Sequence, residues 1–242
     1  MTRRLRGGGE NYEHGVPPPE TFVQQERLDK IDRVVSLRTR SIVVVLDRLE
    51  DSFNIAAVMR TCEGLGIQEI HVINNPEYPF EPHPKVTQGC EKWLEVTKYK
   101  DFATCHAALK ARGFAVYASA IREDATSLYD LRFDQKLALV FGNERTGVSD
   151  EVLQRVEGVY WIPMRGFSQS FNISVAVAMT LSRAVAWRHE RLGEAGDLAP
   201  DEQAALQEKF RVLSVKQRRR MYPPIPRVNL PAPLPSLPGK EE

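Results

Sequence analysis

A chain of 242 residues, 42% hydrophobic and 27% charged, can bury one sizeable core with at most a small satellite. Lys and Arg number 33 against 32 Asp and Glu, a formal net charge of +1, which excludes a wholesale polycation but leaves local basic patches open. No apolar run approaches the ~18 residues of a membrane span, Met1-Thr2-Arg3-Arg4 leads into glycines in place of a signal core, and Cys62, Cys90 and Cys105 form no C-x-x-C pair. The expectation is a soluble cytoplasmic protein in a reducing compartment, with neither a disulfide scaffold nor a metal site.

Residues 1–18 hold Gly7-Gly8-Gly9 and Pro17-Pro18 and few core anchors, and prolines recur densely after Tyr222. Both ends read as mobile arms, 1–18 and 222–242. Residues 19–38 place Phe22, Leu28, Ile31 and Val35 at helical spacing among Arg27, Lys30, Arg33, Arg38 and Arg40, so 19–40 reads as a helical flank. A second helical flank, 200–221, ends in Lys216-Gln217-Arg218-Arg219-Arg220. Each flank is either a solvated helix packed on the domain or a surface that meets RNA phosphates.

Between them, 41–193 alternates strand and helix. Ile42-Val43-Val44-Val45-Leu46 is a β-branched run, apolar throughout, as in a strand covered on both faces. Asn54 to Leu65 is helical, with Ile55, Val58, Cys62 and Leu65 on one face and Gly64 and Gly66 ending it. Ile70–Ile73 is a strand, and a loop rich in Pro and His leads to a helix over Phe102–Arg112 that Gly113 stops. Strands follow at Phe114–Ala120 and Leu137–Phe141, a short helix capped by Ser149, a strand at Val159–Ile162 and a long helix from Asn172 to Leu192. The pattern predicts an α/β fold, a mostly parallel sheet with helices on both faces.

No G-x-G-x-x-G and no G-x-x-x-x-G-K-[ST] is present, so a standard dinucleotide or P-loop site is not expected. Three other segments carry the chemistry. In Asn54-Ile55-Ala56-Ala57-Val58-Met59-Arg60-Thr61, Asn54, Ala57, Arg60 and Thr61 share the face opposite the apolar stripe. Arg60 can meet a phosphate or carboxylate there, or simply form a surface salt bridge. Leu137–Phe141 runs into Gly142-Asn143-Glu144-Arg145-Thr146-Gly147, where backbone can approach a ligand at a strand's carboxyl end, or where an ordinary turn joins strand to helix. The third segment, Ile162 to Ser174, is a polar loop before a helix apolar nearly all round, which must be covered on both sides: one by the sheet, the other open to a second subunit.

In this order and spacing the three segments resemble the signature of the SpoU branch of the SPOUT RNA methyltransferases. The match is N-x-x-A-x-x-R-T at Asn54–Thr61, F-G-x-E at Phe141–Glu144 and I-P-M-x-G-x-x-Q-S-x-N-x-S at Ile162–Ser174. It spans roughly residues 20–215, and the layout is most similar to the TrmH group, the tRNA guanosine-2′-O-methyltransferases. Arg165 and Ser168 depart from that pattern.

The resemblance implies a C-terminal trefoil knot, S-adenosylmethionine as cofactor and a homodimer with the active site near the subunit interface. It implies cofactor loops around Ser119, Gly142, Ile162, Met164 and Phe171. It also implies a catalytic Arg60 with Asn54, Glu144, Ser170 and Asn172 as polar partners. The reaction implied is attack of a ribose 2′-hydroxyl on a sulfonium methyl, most similar to modification of a D-loop guanosine of tRNA; rRNA is the alternative substrate, and a catalytically inactive RNA-binding module a further one. Arginine is the base proposed for this family, yet a guanidinium with a pKa above ~12 is a poor one. Two accounts stand: a deprotonated Arg60, or a charged Arg60 that stabilises the developing alkoxide while another group, with Glu144 the motif carboxylate, takes the proton.

Overall fold

The computed structural model describes residues 17–77, 80–193 and 196–216, Tyr222, and the backbone of Val228–Asn229. The expected mobile arms, but for Pro17, Pro18, Tyr222, Val228 and Asn229, and the run Gln217–Arg220 lie outside the described residues.

The centre is one sheet. Its strands are β1 (Ile42–Asp47), β2 (Glu69–Ile73), β3 (Glu95–Tyr99), β4 (Ala115–Ser119), β5 (Thr126–Ser127), β6 (Leu137–Phe141), β7 (Gly158–Trp161) and β8 (Val228–Asn229). They run in the order β5-β7-β4-β6-β1-β2-β3-β8, and every pairing is parallel. β1 is central: Val44 aligns with Ile70 on one side and Leu139 on the other. All six of its residues are buried: the five apolar ones as a doubly covered strand requires, and Asp47 with an oxygen accepting from the Ser149 amide at 2.8 Å.

Alternation along β1 builds the two halves of the core. Ile42, Val44 and Leu46 join a cluster with α2 (Ser52–Gly64) and α6 (Ile173–Leu192). Val43 and Val45 point the other way, to Phe102, Cys105 and Leu109 of α4 (Phe102–Ala111) and Val152 of α5 (Asp150–Leu153). Each such side chain contributes about 1.5–3 kcal/mol when buried, so one polar substitution in β1 disturbs both layers. A third, smaller cluster joins α1 (Gln25–Ser36) to α7 (Pro200–Ser214) through Ile31, Val35, Leu206, Phe210 and Leu213. The remaining helix, the single turn α3 (Pro84–Thr87), packs beside α2.

Several boundaries differ from the sequence reading. α2 starts at Ser52, two residues early, because the Asp51 side chain accepts from the Phe53 amide at 2.7 Å and caps it. Gly64 lies inside α2; Gly66, at φ +79°, makes the exit, and a Cβ there would sit 2.5 Å from the Leu37 carbonyl oxygen. β3 falls in what reads as loop, since only Val96 and Tyr99 of its five residues are buried. The helix expected over 19–38 divides into a 3-10 turn at Pro19–Phe22 and α1, and α7 stops at Ser214, short of Lys216. Ser149 stands at the N-cap of α5, but its hydroxyl makes no capping bond.

The basic residues of the N-terminal flank divide as well. Arg38 is 1% exposed and donates to Glu63 at 2.9 Å. Arg40 meets Glu69 and Glu95, each at 2.8 Å, and so is committed to carboxylates. Of the two readings of this flank, packing on the domain describes these two, because acidic residues of α2, β2 and β3 pair with them.

The second half of the chain closes over itself. From β4 the chain passes outside β7 to form β5, then returns through 128–136 to β6, on β4's other side. α6 lies against that return: Arg183 donates to the Tyr129 carbonyl at 3.3 Å and Arg188 to the Phe133 carbonyl at 2.9 Å. Asp197 then accepts from Arg188 at 3.3 Å and from the Arg40 amide at 2.8 Å, tying the exit of α6 to the entry of β1. No described helix is long and apolar enough to cross a membrane.

Candidate active site

The strands β7, β4 and β6 are neighbours, and all are parallel, so their carboxyl ends lie side by side. Those ends carry Ile162, Ser119 and Gly142, three of the five residues expected to hold a cofactor. The ends of β6 and β1 also flank the point where chain order reverses, with β2 and β3 on one side and β4 and β7 on the other. A parallel sheet opens a crevice there.

Gly142 is buried and cannot be replaced without disruption, since a Cβ would lie 2.1 Å from the Gly147 carbonyl carbon and the Val148 nitrogen. The loop it begins is closed by paired backbone bonds between Asn143 and Gly147, each 2.9 Å, with Gly147 at φ +71°. Ile162 is buried in the main core cluster, Phe171 is half-buried and packs against that cluster, and Met164 is half-buried. Ser119 is half-buried near the Tyr160 hydroxyl, whose pKa is raised by burial in spite of hydrogen bonds with Thr180 and Ser119. The residues present fit a nucleoside-type cofactor: a tight glycine loop at a strand's carboxyl end, with Ile162, Met164 and Phe171 as apolar side chains for an adenine ring.

Of the five residues expected to be catalytic, three meet directly. Asn172 donates through Nδ2 to Asn54 Oδ1 at 3.1 Å, and Asn54 donates through its own Nδ2 to Glu144 Oε1 at 3.1 Å. Asn172 is also the N-cap of α6, accepting from the Ser174 amide at 2.9 Å. The sequence places these residues 118 and 90 positions apart, and the fold brings them into one chain of bonds.

Arg60 stands six residues along α2 from Asn54, the middle of that chain, and makes no hydrogen bond to it among the described residues. It is exposed, and its one hydrogen bond among the described residues runs from Nη1 to the Val86 carbonyl of α3, at 3.5 Å. Most of the guanidinium's donors therefore face solvent, available to an anion. Ser170 is exposed and its hydroxyl has no hydrogen-bond partner among the described residues; Arg165 and Ser168 share that exposed loop.

Sequence reasoning missed Asn143, the x of F-G-x-E. It is 8% exposed, and its amide is fully engaged. Nδ2 donates to the Arg48 carbonyl at 2.9 Å and to Glu50 at 3.0 Å; Oδ1 accepts from the Arg145 and Thr146 amides at 2.9 and 3.3 Å. Arg48 has φ +57°, a left-handed backbone rare for a non-glycine residue. The bond therefore joins a strained residue after β1 to the loop after β6. Among the described residues, no group of His, Cys, Asp or Glu is placed to hold a metal ion. A cavity of about 570 Å³ lies between the flanks, at Phe22, Arg27 and Ser214, and none of the site residues lines it.

The family model for the SpoU rRNA Methylase family matches residues 41–182, from the first residue before β1 into α6. The chain belongs to the SpoU methylase family. Two relatives of this SpoU-family chain are both named tRNA (guanosine(18)-2′-O)-methyltransferase. The one from Borreliella burgdorferi is 37% identical over 160 residues, covering 66% of this chain and 73% of the relative. The one from Thermus thermophilus is 35% identical over 160 residues, covering 66% and 82%. A crystal structure of the A. aeolicus TrmH/SpoU tRNA modifying enzyme superposes with a TM-score of 0.73 at 26% identity, over 80% of this chain and 98% of that one.

Proposed function

We propose that this SpoU-family enzyme transfers a methyl group from S-adenosylmethionine to the ribose 2′-hydroxyl of a D-loop guanosine in tRNA. The observation that carries the reading is the chain Asn172–Asn54–Glu144, set beside the glycine loop of β6 and on the helix that bears Arg60. The names of the relatives favour tRNA over the rRNA of the family's description.

Bound against Ser119, Gly142, Ile162, Met164 and Phe171, S-adenosylmethionine supplies an electrophilic methyl on a sulfonium. The protein's part is alignment and proton management. Asn54 has both ends of its amide fixed, so it holds Glu144 by one oxygen and leaves the other open. Transfer would form the ribose O–C bond and break the sulfonium C–S bond, leaving a neutral thioether, and the hydroxyl, made strongly acidic as the new bond forms, can give its proton to a carboxylate. We assign that role to Glu144. Arg60 stays charged and holds negative charge, on the developing alkoxide or the adjoining phosphate.

Three further properties belong to this reading. The segment 120–136, looping around β7 and bonded to α6, supports threading of the C-terminal part into a trefoil knot. Val175 on α6 is 44% exposed and Phe167 fully so, while Ala176, Val177, Leu181 and Ala184 are buried. That asymmetry on a helix apolar nearly all round supports a homodimer through α6. The cysteines Cys62, Cys90 and Cys105 are free and buried, which supports a reducing compartment such as the cytoplasm. The methyltransferase domain on this reading is 41–193, with flanks at 19–40 and 200–221, of which 200–216 are described.

The test is incubation with labelled S-adenosylmethionine and either bulk tRNA or rRNA, followed by nucleoside mass spectrometry. 2′-O-methylguanosine in tRNA is the expected product. Label confined to rRNA would overturn the substrate and keep the chemistry.

A further inference from the structure

The outer face of α2 carries an aromatic pair that the reaction above does not use. Phe53 is 57% exposed, and its ring stacks on that of His83 with centroids 4.3 Å apart and planes 18° from parallel. The pair is fixed from below, since the His83 amide donates to the Ser52 carbonyl at 3.1 Å. With one face on His83, so much exposure puts the other face of Phe53 in water.

Its position gives it meaning. Phe53 adjoins Asn54, the middle of the polar chain. Phe53, Ala57 and Arg60 are spaced i, i+4, i+7 and share one side of the helix. At 1.5 Å per residue, Phe53 and Arg60 stand about 10 Å apart along the axis, with only a methyl group between them. The short helix α3 lies alongside, stacked at one end through His83 and bonded at the other through Val86 to Arg60. The result is a strip with a flat aromatic at one end, an open guanidinium at the other, and the Asn54–Glu144 pair at its edge.

We propose that Phe53, backed by His83, is a stacking platform for a nucleobase next to the methylated nucleotide; the proposal rests on the reading that the substrate is RNA. Proteins read unpaired RNA by stacking its bases on aromatic side chains, histidine included. A base on the open face of Phe53 has exchanged a neighbouring base for the ring on that side, so it belongs to an unstacked segment, and gripping it holds the adjoining ribose near Arg60 and Glu144. The platform specifies an unpaired neighbour without specifying which base, because every base offers a π-face.

The test compares Phe53→Leu with Phe53→Tyr in the full-length protein, reading kcat and KM for an unmodified tRNA transcript, S-adenosylmethionine affinity and sedimentation. Phe53→Leu keeps an apolar group and loses the flat face. It is expected to raise KM for tRNA about tenfold or more while cofactor affinity and oligomeric state hold, and Phe53→Tyr is expected to restore KM. A Phe53→Leu enzyme with wild-type KM would overturn the proposal. So would one that changes oligomeric state, which would assign the pair to a contact between copies of the chain. Phe53→Trp gives a readout independent of turnover: its emission, taken as the difference from wild type, is quenched when tRNA binds. If wild-type protein methylated neither tRNA nor rRNA, the function would fall, whereas an unquenched Trp with tRNA demonstrably bound would sink the platform alone.

Discussion

The Asn143 side chain donates to the backbone carbonyl of Arg48 at 2.9 Å, across 95 positions of sequence. That bond and the one from Asn54 to Glu144 are two ties between the same segments, the entry to α2 and the loop after β6. The first segment carries the residues assigned to the substrate, and the second the loop assigned to the cofactor. Their mutual distance is thus set by two side-chain amides.

Asn143→Ala removes the inner tie and leaves the Arg48 carbonyl and two loop amides without partners. We expect a loss of roughly 1–3 kcal/mol in stability and a cofactor dissociation constant raised about tenfold, read by calorimetry on the folded variant. Asn143→Asp is expected to do at least as much harm, since it sets a carboxylate beside Glu50.

Glu144→Gln preserves an acceptor for Asn54 while removing the base. The account predicts a fall in kcat of about a hundredfold or more, with KM for tRNA and cofactor affinity nearly unchanged. Pre-steady-state methyl transfer measures it. An unimpaired chemical step would reduce Glu144 to a positioning residue and return the proton to Arg60 or to solvent.

Two glycines separate necessity from habit. A Cβ on Gly142 collides with backbone at 2.1 Å, so Gly142→Ala is expected to cost at least about 3 kcal/mol and to abolish cofactor binding. Gly64 has nothing within 4 Å of its would-be Cβ and lies inside α2. Gly64→Ala should gain about 0.5–1 kcal/mol by thermal or urea unfolding.

Acid sensitivity is expected to centre on Glu69. Burial alone would raise its pKa, but the His71 ring 3.4 Å away, the hydrogen bonds from Arg112 and the charges of Arg112 and Arg40 outweigh that, holding it well below its ordinary 4.5. A carboxylate depressed in the folded state stabilises fully above its unfolded pKa and loses that contribution as pH falls further. Glu69→Gln should therefore be less stable at neutral pH by roughly 1.5–3 kcal/mol. Its deficit should shrink from about pH 4.5 downward. Urea titrations across that range measure both.

The central strands were legible because β6 is apolar at every position and β1 at all but its last, Asp47, a pattern that a doubly covered strand produces. β3 was not, since Glu95, Thr97 and Lys98 alternate with its two buried residues and give it the look of a loop. Asn54, Glu144 and Asn172 could be singled out by motif spacing, and the structure supplies what spacing omits, that they bond in series. Asn143 and the left-handed Arg48 were invisible, because their roles depend on where one backbone carbonyl arrives in space. Arg38 and Arg40 left two readings open for the opposite reason: a basic cluster looks the same in sequence whether it meets phosphate or the carboxylates of Glu63, Glu69 and Glu95.

The central claim is tested most directly by methyl transfer to a tRNA transcript alongside one whose guanosine 18, the nucleoside in the relatives' names, carries a 2′-deoxyribose, each with wild-type and Arg60→Ala protein. The account predicts label only for the wild-type enzyme on the unmodified transcript, with cofactor affinity intact in Arg60→Ala. Label on the deoxy transcript, or normal turnover by Arg60→Ala, would contradict it.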